Sequence, residues 1–139
     1  MHTEGTFAPD SVAMARDQYE AVGPAAQTVV RETARAMEFD REEYGDRVTS
    51  DVVETARDAL FASLLEVTVG TREEYDEWRE GYDGEVVETG NENVDHVVWH
   101  AGPDGEAVAA TFHEKEDAAV ATLRRQAFGR IYRELVETN

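Results

Sequence analysis

The chain has 139 residues and a formal net charge of −18, because it carries 31 Asp and Glu residues but only 13 Lys and Arg residues. It has no cysteine, which excludes thiol catalysis, iron–sulfur ligation and disulfide bonds. No apolar run approaches the ~20 residues of a membrane span, and the N-terminal residues lack the features of an export signal, so we expect a cytoplasmic protein with no membrane segment. The length is typical of a single domain, predicted here over residues 1–139.

The acidic charge indicates a folded protein adapted to high salt. Hydrophobic residues make up 41% of the chain and recur periodically, which argues against an acidic disordered chain. Nearly all the basic residues are arginine, and Lys115 is the single lysine. An acidic shell repels itself in dilute buffer, but at molar salt the Debye length falls to about 3 Å and the repulsion is screened. We therefore predict a halophilic protein.

The N-terminal part of the chain, residues 10–80, is predicted to be helical. The first helix should start near Asp10 and stop at Gly23, after which Pro24 opens a second helix. The segment Ala59–Leu65 is apolar on nearly every side, which is typical of a helix in the middle of a core. The caps of three further helices are predicted at Asp40, at Ser50 or Asp51, and at Thr71.

After the helices, the sequence pattern changes to the period of two that is typical of strands, over residues 85–113. A Gly-Pro-Asp-Gly turn separates two segments that can pair as a hairpin. With Ala101 opposite Glu106, Trp99 pairs with Val108 on the face predicted to contact the core. The predicted sheet is small and antiparallel, with the three strands Glu85–Thr89, Val94–Ala101 and Glu106–His113.

A long amphipathic helix, predicted over residues 116–137, lies across this sheet and completes an α+β fold. Its apolar residues recur at spacings of three and four. Arg124 falls within the apolar arc, where a charged side chain must reach the rim, pair with a buried carboxylate or face a ligand. This arginine is therefore the sharpest anomaly in the pattern.

Three further arginines, Arg125, Arg130 and Arg133, make the last helix the locally basic element of an acidic chain. One interpretation is that they pair with the acidic segment 71–93. The other is that they form a face that binds an anion or a partner. A related alternative is a small-molecule pocket between the last helix and the sheet, near Arg124, Trp99 and His100.

The histidines of the predicted hairpin are lesser candidates for a metal site. In the register above, His96 and His100 point away from the core, and His113 is a diagonal neighbour of His96. Imidazoles that share a sheet face can bind zinc, but polar residues are also typical of the solvated face of an antiparallel sheet. No carboxylate ligand is evident beside them, so the sequence predicts neither a bound metal nor a cofactor.

Nucleic-acid binding and catalysis are both disfavoured by the sequence. The segment 41–47 and the helix that follows have the spacing of a helix-turn-helix, with the later hairpin as a wing. However, the second of these helices carries Asp51, Glu54 and Asp58, and DNA affinity depends on cations that contact phosphates. The motifs of phosphate-binding loops, zinc proteases and serine hydrolases do not occur in the sequence, which disfavours an enzyme.

Three segments of the chain carry a family resemblance. They are 19–34 (YEAVGPAAQTVVRETA), 49–65 (TSDVVETARDALFASLL) and 122–134 (TLRRQAFGRIYRE). These segments resemble a small, uncharacterised family of halophilic archaeal proteins of unknown function, and the resemblance spans nearly the whole chain. It implies a high-salt source and a cytoplasmic setting. Because that family has no assigned activity, the resemblance implies no catalytic residues.

The favoured prediction is a non-enzymatic interaction or regulatory protein of a high-salt cytoplasm, because a basic last helix contrasts with an acidic body. The predicted partner is another protein, bound through the C-terminal helix, and oligomer formation is compatible with the sequence. The alternatives are a small-molecule binder or enzyme with the pocket described above and, less favoured, a winged-helix-like DNA-binding protein.

Overall fold

The computed structural model describes residues 1–137 and confirms the predicted α+β class. Its sheet has five strands and is mixed, whereas the sequence predicted three antiparallel strands. The strands are β1 (His2–Glu4), β2 (Val67–Thr71), β3 (Glu85–Thr89), β4 (His96–Ala101) and β5 (Glu106–Phe112). The helices are α1 (Val12–Ala21), α2 (Gly23–Ala36), α3 (Arg41–Arg47), α4 (Ser50–Ser63), α5 (Arg72–Gly81), α6 (Glu116–Ala127) and α7 (Arg133–Glu137).

The last helix is interrupted by a π-helical turn over Phe128–Tyr132, which joins α6 to α7. The sequence predicted one continuous helix over residues 116–137, and a single extra residue in a helical turn leaves no signal in a pattern of threes and fours. Over residues 1–137, no helix combines the length and the apolar character that a bilayer crossing requires.

Side-chain caps set the helix starts within one or two residues of the prediction. α1 begins after Ser11 rather than at Asp10, and the Ser11 hydroxyl accepts a hydrogen bond from an amide of the first turn. α4 is capped by Thr49 rather than by Ser50 or Asp51. The other two predicted caps, Asp40 and Thr71, are confirmed.

The sheet extends beyond the predicted segment 85–113, because β1 and β2 lie outside it. The strand order is β1-β2-β4-β5-β3. β2 pairs antiparallel with both β1 and β4, whereas β3 pairs parallel with β5 at the opposite edge. The three residues of β1 are His-Thr-Glu, a polar sequence with no strand signal, so this strand depends on backbone pairing with β2.

The β4–β5 hairpin differs by one residue from the predicted register. Trp99 pairs with Ala109 and not with Val108. The Gly102 amide donates a hydrogen bond to the Glu106 carbonyl at 2.8 Å, which adds one residue to the predicted four-residue turn. Because side chains alternate along a strand, this slip moves every β5 side chain to the other face relative to β4.

The two faces of the sheet pack against different helices. On one face, α1, α4, α6 and the π-helical turn bury a large core around Phe61, whose ring contacts four other aromatic rings at centroid distances of 5.3–6.1 Å. The segment Ala59–Leu65 is therefore central, as predicted. On the other face, α5 covers a smaller cluster formed by Tyr75, Val97, Trp99 and Ala109.

Candidate functional site

Arg124 binds backbone carbonyl groups rather than a carboxylate. Its Nε donates to the Leu65 carbonyl at 2.9 Å, and its Nη2 donates to the Glu4 carbonyl at 3.0 Å. The half-buried guanidinium therefore joins α6 to β1 and to the connection between α4 and β2. These two acceptors explain its place in the apolar arc of the helix, because they satisfy the guanidinium where no carboxylate is paired with it.

His100 lies inside the main core and does not point away from it, as the sequence register had predicted. It is 4% exposed, and its ring uses both nitrogens. Nδ1 donates to the Glu66 carbonyl at 2.5 Å, so Nε2 must accept the hydrogen bond from the Tyr132 hydroxyl at 2.6 Å. Burial lowers the pKa of His100, and the nearby Arg124 charge lowers it further. The imidazole is therefore neutral in the folded protein.

Tyr132 reaches His100 from the π-helical turn, and burial raises the pKa of its hydroxyl. π-helical turns occur frequently at functional sites. Here the turn directs a tyrosine hydroxyl to a buried imidazole acceptor, so this network of Arg124, His100 and Tyr132 anchors the last helix to the sheet.

Trp99 is separated from His100 by the sheet itself, because neighbouring residues of β4 point to opposite faces. Its ring lies in an aromatic cluster with Tyr75, Trp78 and Tyr82, in which Trp78 stacks on Tyr82 at 4.7 Å. The three residues of the predicted pocket, Arg124, Trp99 and His100, therefore do not share one cavity. A pocket near both Trp99 and His100 was therefore wrong, because adjacent residues of one strand cannot line the same face of the sheet.

A groove of about 490 Å³ between α4 and α6, the α4–α6 groove, collects three of the predicted arginines. Its lining includes Arg124, Arg125 and Arg133 above a floor with alanines and Phe128, and the Arg133 guanidinium lies 5.4 Å from the centre of the Phe128 ring. Arg130 is exposed and lies outside this lining.

The expected ion pairs between the last helix and the acidic segment 71–93 do not form within residues 1–137. The physical reason is the position of α5, which packs on the sheet face opposite to α6. Arg125 and Arg133 are both exposed, and Arg125 donates a 3.4 Å hydrogen bond to the Thr122 hydroxyl. The basic side chains of the last helix are therefore not neutralised by the most acidic part of the chain.

A second groove, the α2–α4 groove, lies on the other side of α4. It has a volume of about 430 Å³ and a mainly apolar lining, in which Val29, Met37 and Val52 are 47%, 59% and 42% exposed. Thr55 and Ala59 line both grooves, so the two are continuous across the outward side of α4. We refer to the two grooves together as the α4 surface.

Sequence reasoning missed the α2–α4 groove, although a signal was present. Val29 stands beside Val30 in α2, so the apolar arc of that helix is wider than the contact with α4 requires. Met37, which follows the last turn of α2, also projects to the surface.

A polar pocket of about 420 Å³ lies beside α5, where the parallel strands β3 and β5 meet the loop after β3. The Tyr75 hydroxyl donates to the Glu88 carboxylate, and burial together with this carboxylate raises the pKa of Tyr75. Arg72 Nη2 donates to the Asn91 carbonyl at 3.2 Å. The pocket was not predicted because it depends on the parallel pairing of β3 with β5. Several of its polar groups bond to one another, whereas the buried Arg72 Nε has no hydrogen-bond partner among the described residues.

The histidines predicted as lesser metal candidates are not brought together. His96 pairs with Phe112 and stacks on its ring at 5.5 Å, and His113 lies beyond the end of β5. In the part of the chain that the structure describes, three other side chains that can bind a metal ion lie together, namely those of His2, Glu4 and Glu116. The sequence could not reveal this cluster, because Glu116 is more than 100 positions from His2 and Glu4 and because β1 has no strand signal.

The comparison with known families confirms the expectation of an uncharacterised family. A family model described as a family of unknown function (DUF5809) matches residues 6–133, which include every element from α1 to the π-helical turn. No curated protein and no solved structure matches the chain. The chain therefore belongs to DUF5809, a family of unknown function.

Proposed function

We propose that the chain is a non-catalytic interaction protein whose α4 surface binds an acidic, amphipathic helical segment of a partner protein. The observation that carries this proposal is the continuity of two unlike grooves at Thr55 and Ala59. One groove is apolar, and the other is lined by three arginines together with one carboxylate, Asp58. Two adjoining grooves of this kind match a ligand that has an apolar stripe flanked by carboxylates.

Charge identifies the class of partner. Arg125 and Arg133 are exposed cations on a protein of net charge −18, and Arg124 beside them is held by backbone carbonyls. A guanidinium offers a planar fork of donors that binds a carboxylate through two parallel hydrogen bonds. Asp or Glu side chains on the partner therefore fit the α4–α6 groove.

The dimensions favour a helix as the bound segment. The lining on α4 runs from Thr55 to Ser63, which at 1.5 Å per residue is about 12 Å, or roughly two helical turns. Small side chains at Ala59, Ala62 and Ala121 allow close approach of a partner helix. Proteins that bind amphipathic helices take up apolar anchors spaced over two turns in grooves of this kind.

Fluorescence anisotropy with defined peptides tests the proposal. The probe is a labelled helical peptide with leucines at i, i+3, i+4 and i+7 and flanking glutamates, and the control peptide has lysine in place of each glutamate. The glutamate peptide should bind saturably, whereas Arg125→Glu combined with Arg133→Glu should weaken binding about tenfold, or ~1.4 kcal/mol. Arg130→Glu is the control for each single replacement, Arg125→Glu or Arg133→Glu, because it makes the same charge change in the same helical segment but outside the groove.

Four results would count against this function. Equal affinity for the two peptides would show that charge does not determine binding. An equal loss of affinity in Arg130→Glu would show that the effect comes from the net charge of the protein and not from the groove. Binding that is insensitive to Val52→Asp would show that the apolar groove takes no part. If sedimentation showed a dimer that Val52→Asp dissociates, the occupant would be a second copy of the chain.

We further propose that the protein works in a high-salt cytoplasm. The support is compositional, since the carboxylates greatly outnumber the cations and few ion pairs are formed with them. The midpoint of thermal unfolding should rise steadily between dilute buffer and about 2 M potassium chloride, because screening removes the self-repulsion of the acidic surface. Equal stability at both salt concentrations would contradict a halophilic origin.

A further inference from the structure

We propose that His2, Glu4 and Glu116 form a binding site for a divalent first-row transition metal ion, separate from the α4 surface. His2 Nε2 lies 3.2 Å from Glu4 Oε2 and 3.2 Å from Glu116 Oε2. The three donor atoms lie within 4.8 Å of one another. An imidazole nitrogen and carboxylate oxygens from two separate elements thus converge on one point.

The distances match those between ligands of one ion. Zinc binds imidazole nitrogen and carboxylate oxygen at about 2.0–2.2 Å, so two neighbouring ligands in a tetrahedral or octahedral shell lie about 3–3.5 Å apart. Both histidine–carboxylate distances fall in this interval. An ion can therefore enter the site with only small side-chain rotations.

The backbone that carries the ligands is positioned by contacts that do not involve the cluster. His2 and Glu4 are two residues apart on β1, which pairs with β2 through His2 and Val69, so both side chains point to the same face. The Glu4 carbonyl accepts the hydrogen bond from Arg124, which ties β1 to α6. Glu116 is the first residue of α6. The same guanidinium thus holds the two elements that supply the ligands.

The donor set identifies the class of ion. One imidazole with two carboxylates and no thiolate suits zinc, cobalt, nickel or manganese, whereas calcium prefers six to eight oxygen ligands. A neutral imidazole and two carboxylates carry two negative charges, which balance a divalent cation. The side chains of His2, Glu4 and Glu116 are 51%, 36% and 39% exposed, which leaves the remaining coordination positions open to water.

Calorimetric titration of the untagged full-length chain with zinc chloride tests the site, in the presence of excess magnesium to occupy non-specific carboxylates. The expected result is one zinc ion per chain, and His2→Ala or Glu116→Gln should each weaken binding more than about tenfold. His96→Ala combined with His113→Ala is the matched control and should bind zinc as the unmodified chain does. Zinc should also raise the unfolding temperature of the unmodified chain, because it links β1 to α6.

Several outcomes would overturn the site. No zinc binding in excess magnesium would do so, and so would binding that both ligand variants retain. Loss of binding in the His96 and His113 control would move the site to the hairpin. Because His2 is exposed and Glu116 is half-buried outside the core, we expect their replacement to leave the core intact, and circular dichroism of each variant checks this. The peptide-binding test of the α4 surface is unaffected by any of these results.

Discussion

Replacing Tyr132 with phenylalanine removes one hydroxyl and tests whether the buried network anchors the last helix. The Tyr132 hydroxyl is the donor to His100 Nε2, and the other ring nitrogen is already bonded to the Glu66 carbonyl. Tyr132 is 0% exposed and His100 is 4% exposed, so the acceptor that loses its partner lies away from solvent. An unsatisfied buried acceptor costs about 1–3 kcal/mol. For a chain of this length, that cost corresponds to a fall of about 3–10 °C in Tm.

The assay is equilibrium unfolding in urea at fixed potassium chloride concentration, followed by tryptophan fluorescence. Trp78 and Trp99 lie on the sheet face opposite to Tyr132, so the probe is not disturbed by the substitution. Tyr44→Phe is the matched control, because Tyr44 is 39% exposed and should change stability by less than about 0.5 kcal/mol. If Tyr132→Phe were as mild as Tyr44→Phe, the hydrogen bond would not stabilise the fold and the proposed anchoring would be wrong.

Two further predictions follow from the same structure. Burial lowers the pKa of His100, so as the pH falls the unfolded chain binds a proton at this residue before the folded chain does. The free energy of unfolding should therefore decrease as the pH falls below about 6.5, by up to ~1.4 kcal/mol per pH unit. Urea titrations at several pH values measure this slope, which His100→Gln should reduce. Gly5 has φ +123°, and an added Cβ would lie 2.4 Å from the Leu65 carbonyl oxygen. Gly5→Ala should therefore lower the Tm, whereas Gly45→Ala, in an open position within α3, should stabilise by about 0.5–1 kcal/mol.

The helices could be predicted from the sequence because their signals are local. Capping residues such as Asp40 and Thr71 act on amides three residues away, so the sequence contains the whole interaction. β1 could not be predicted, because it is three polar residues long and its pairing partner is more than 60 positions away. The alternating pattern predicts that β3 is a strand but not which strand it pairs with, so its parallel pairing with β5 could not be predicted.

The error in the hairpin register has one physical cause. The prediction assigned one face of the hairpin to solvent, but residues 97–100 are all buried because helices cover both faces. The hydrophobic pattern then no longer distinguishes the two faces of the hairpin. A shift of one residue in the pairing of β4 with β5 therefore cannot be detected from the sequence. His100 was placed outside for this reason, although a buried histidine with two hydrogen bonds costs little.

The candidate site was predicted in part. Arg124 was correctly identified as anomalous, but its acceptors are backbone carbonyls, which have no sequence signature. Arg125 and Arg133 were named from the charge contrast alone, and the structure places both in the α4–α6 groove. The adjoining apolar groove required knowledge of how α2 and α4 cross, which helical periodicity does not supply.

The bond between Arg124 and the Glu4 carbonyl spans 120 positions of the chain, and this separation has a consequence during protein synthesis. β1 leaves the ribosome long before α6, the helix that carries Arg124. When β2 emerges, β1 can therefore be held at the edge of the sheet only by its backbone pairing with β2. Exposed strand edges are where nascent chains associate wrongly. Until α6 is translated, this edge of the sheet therefore lacks the side-chain bond that secures β1 in the complete fold.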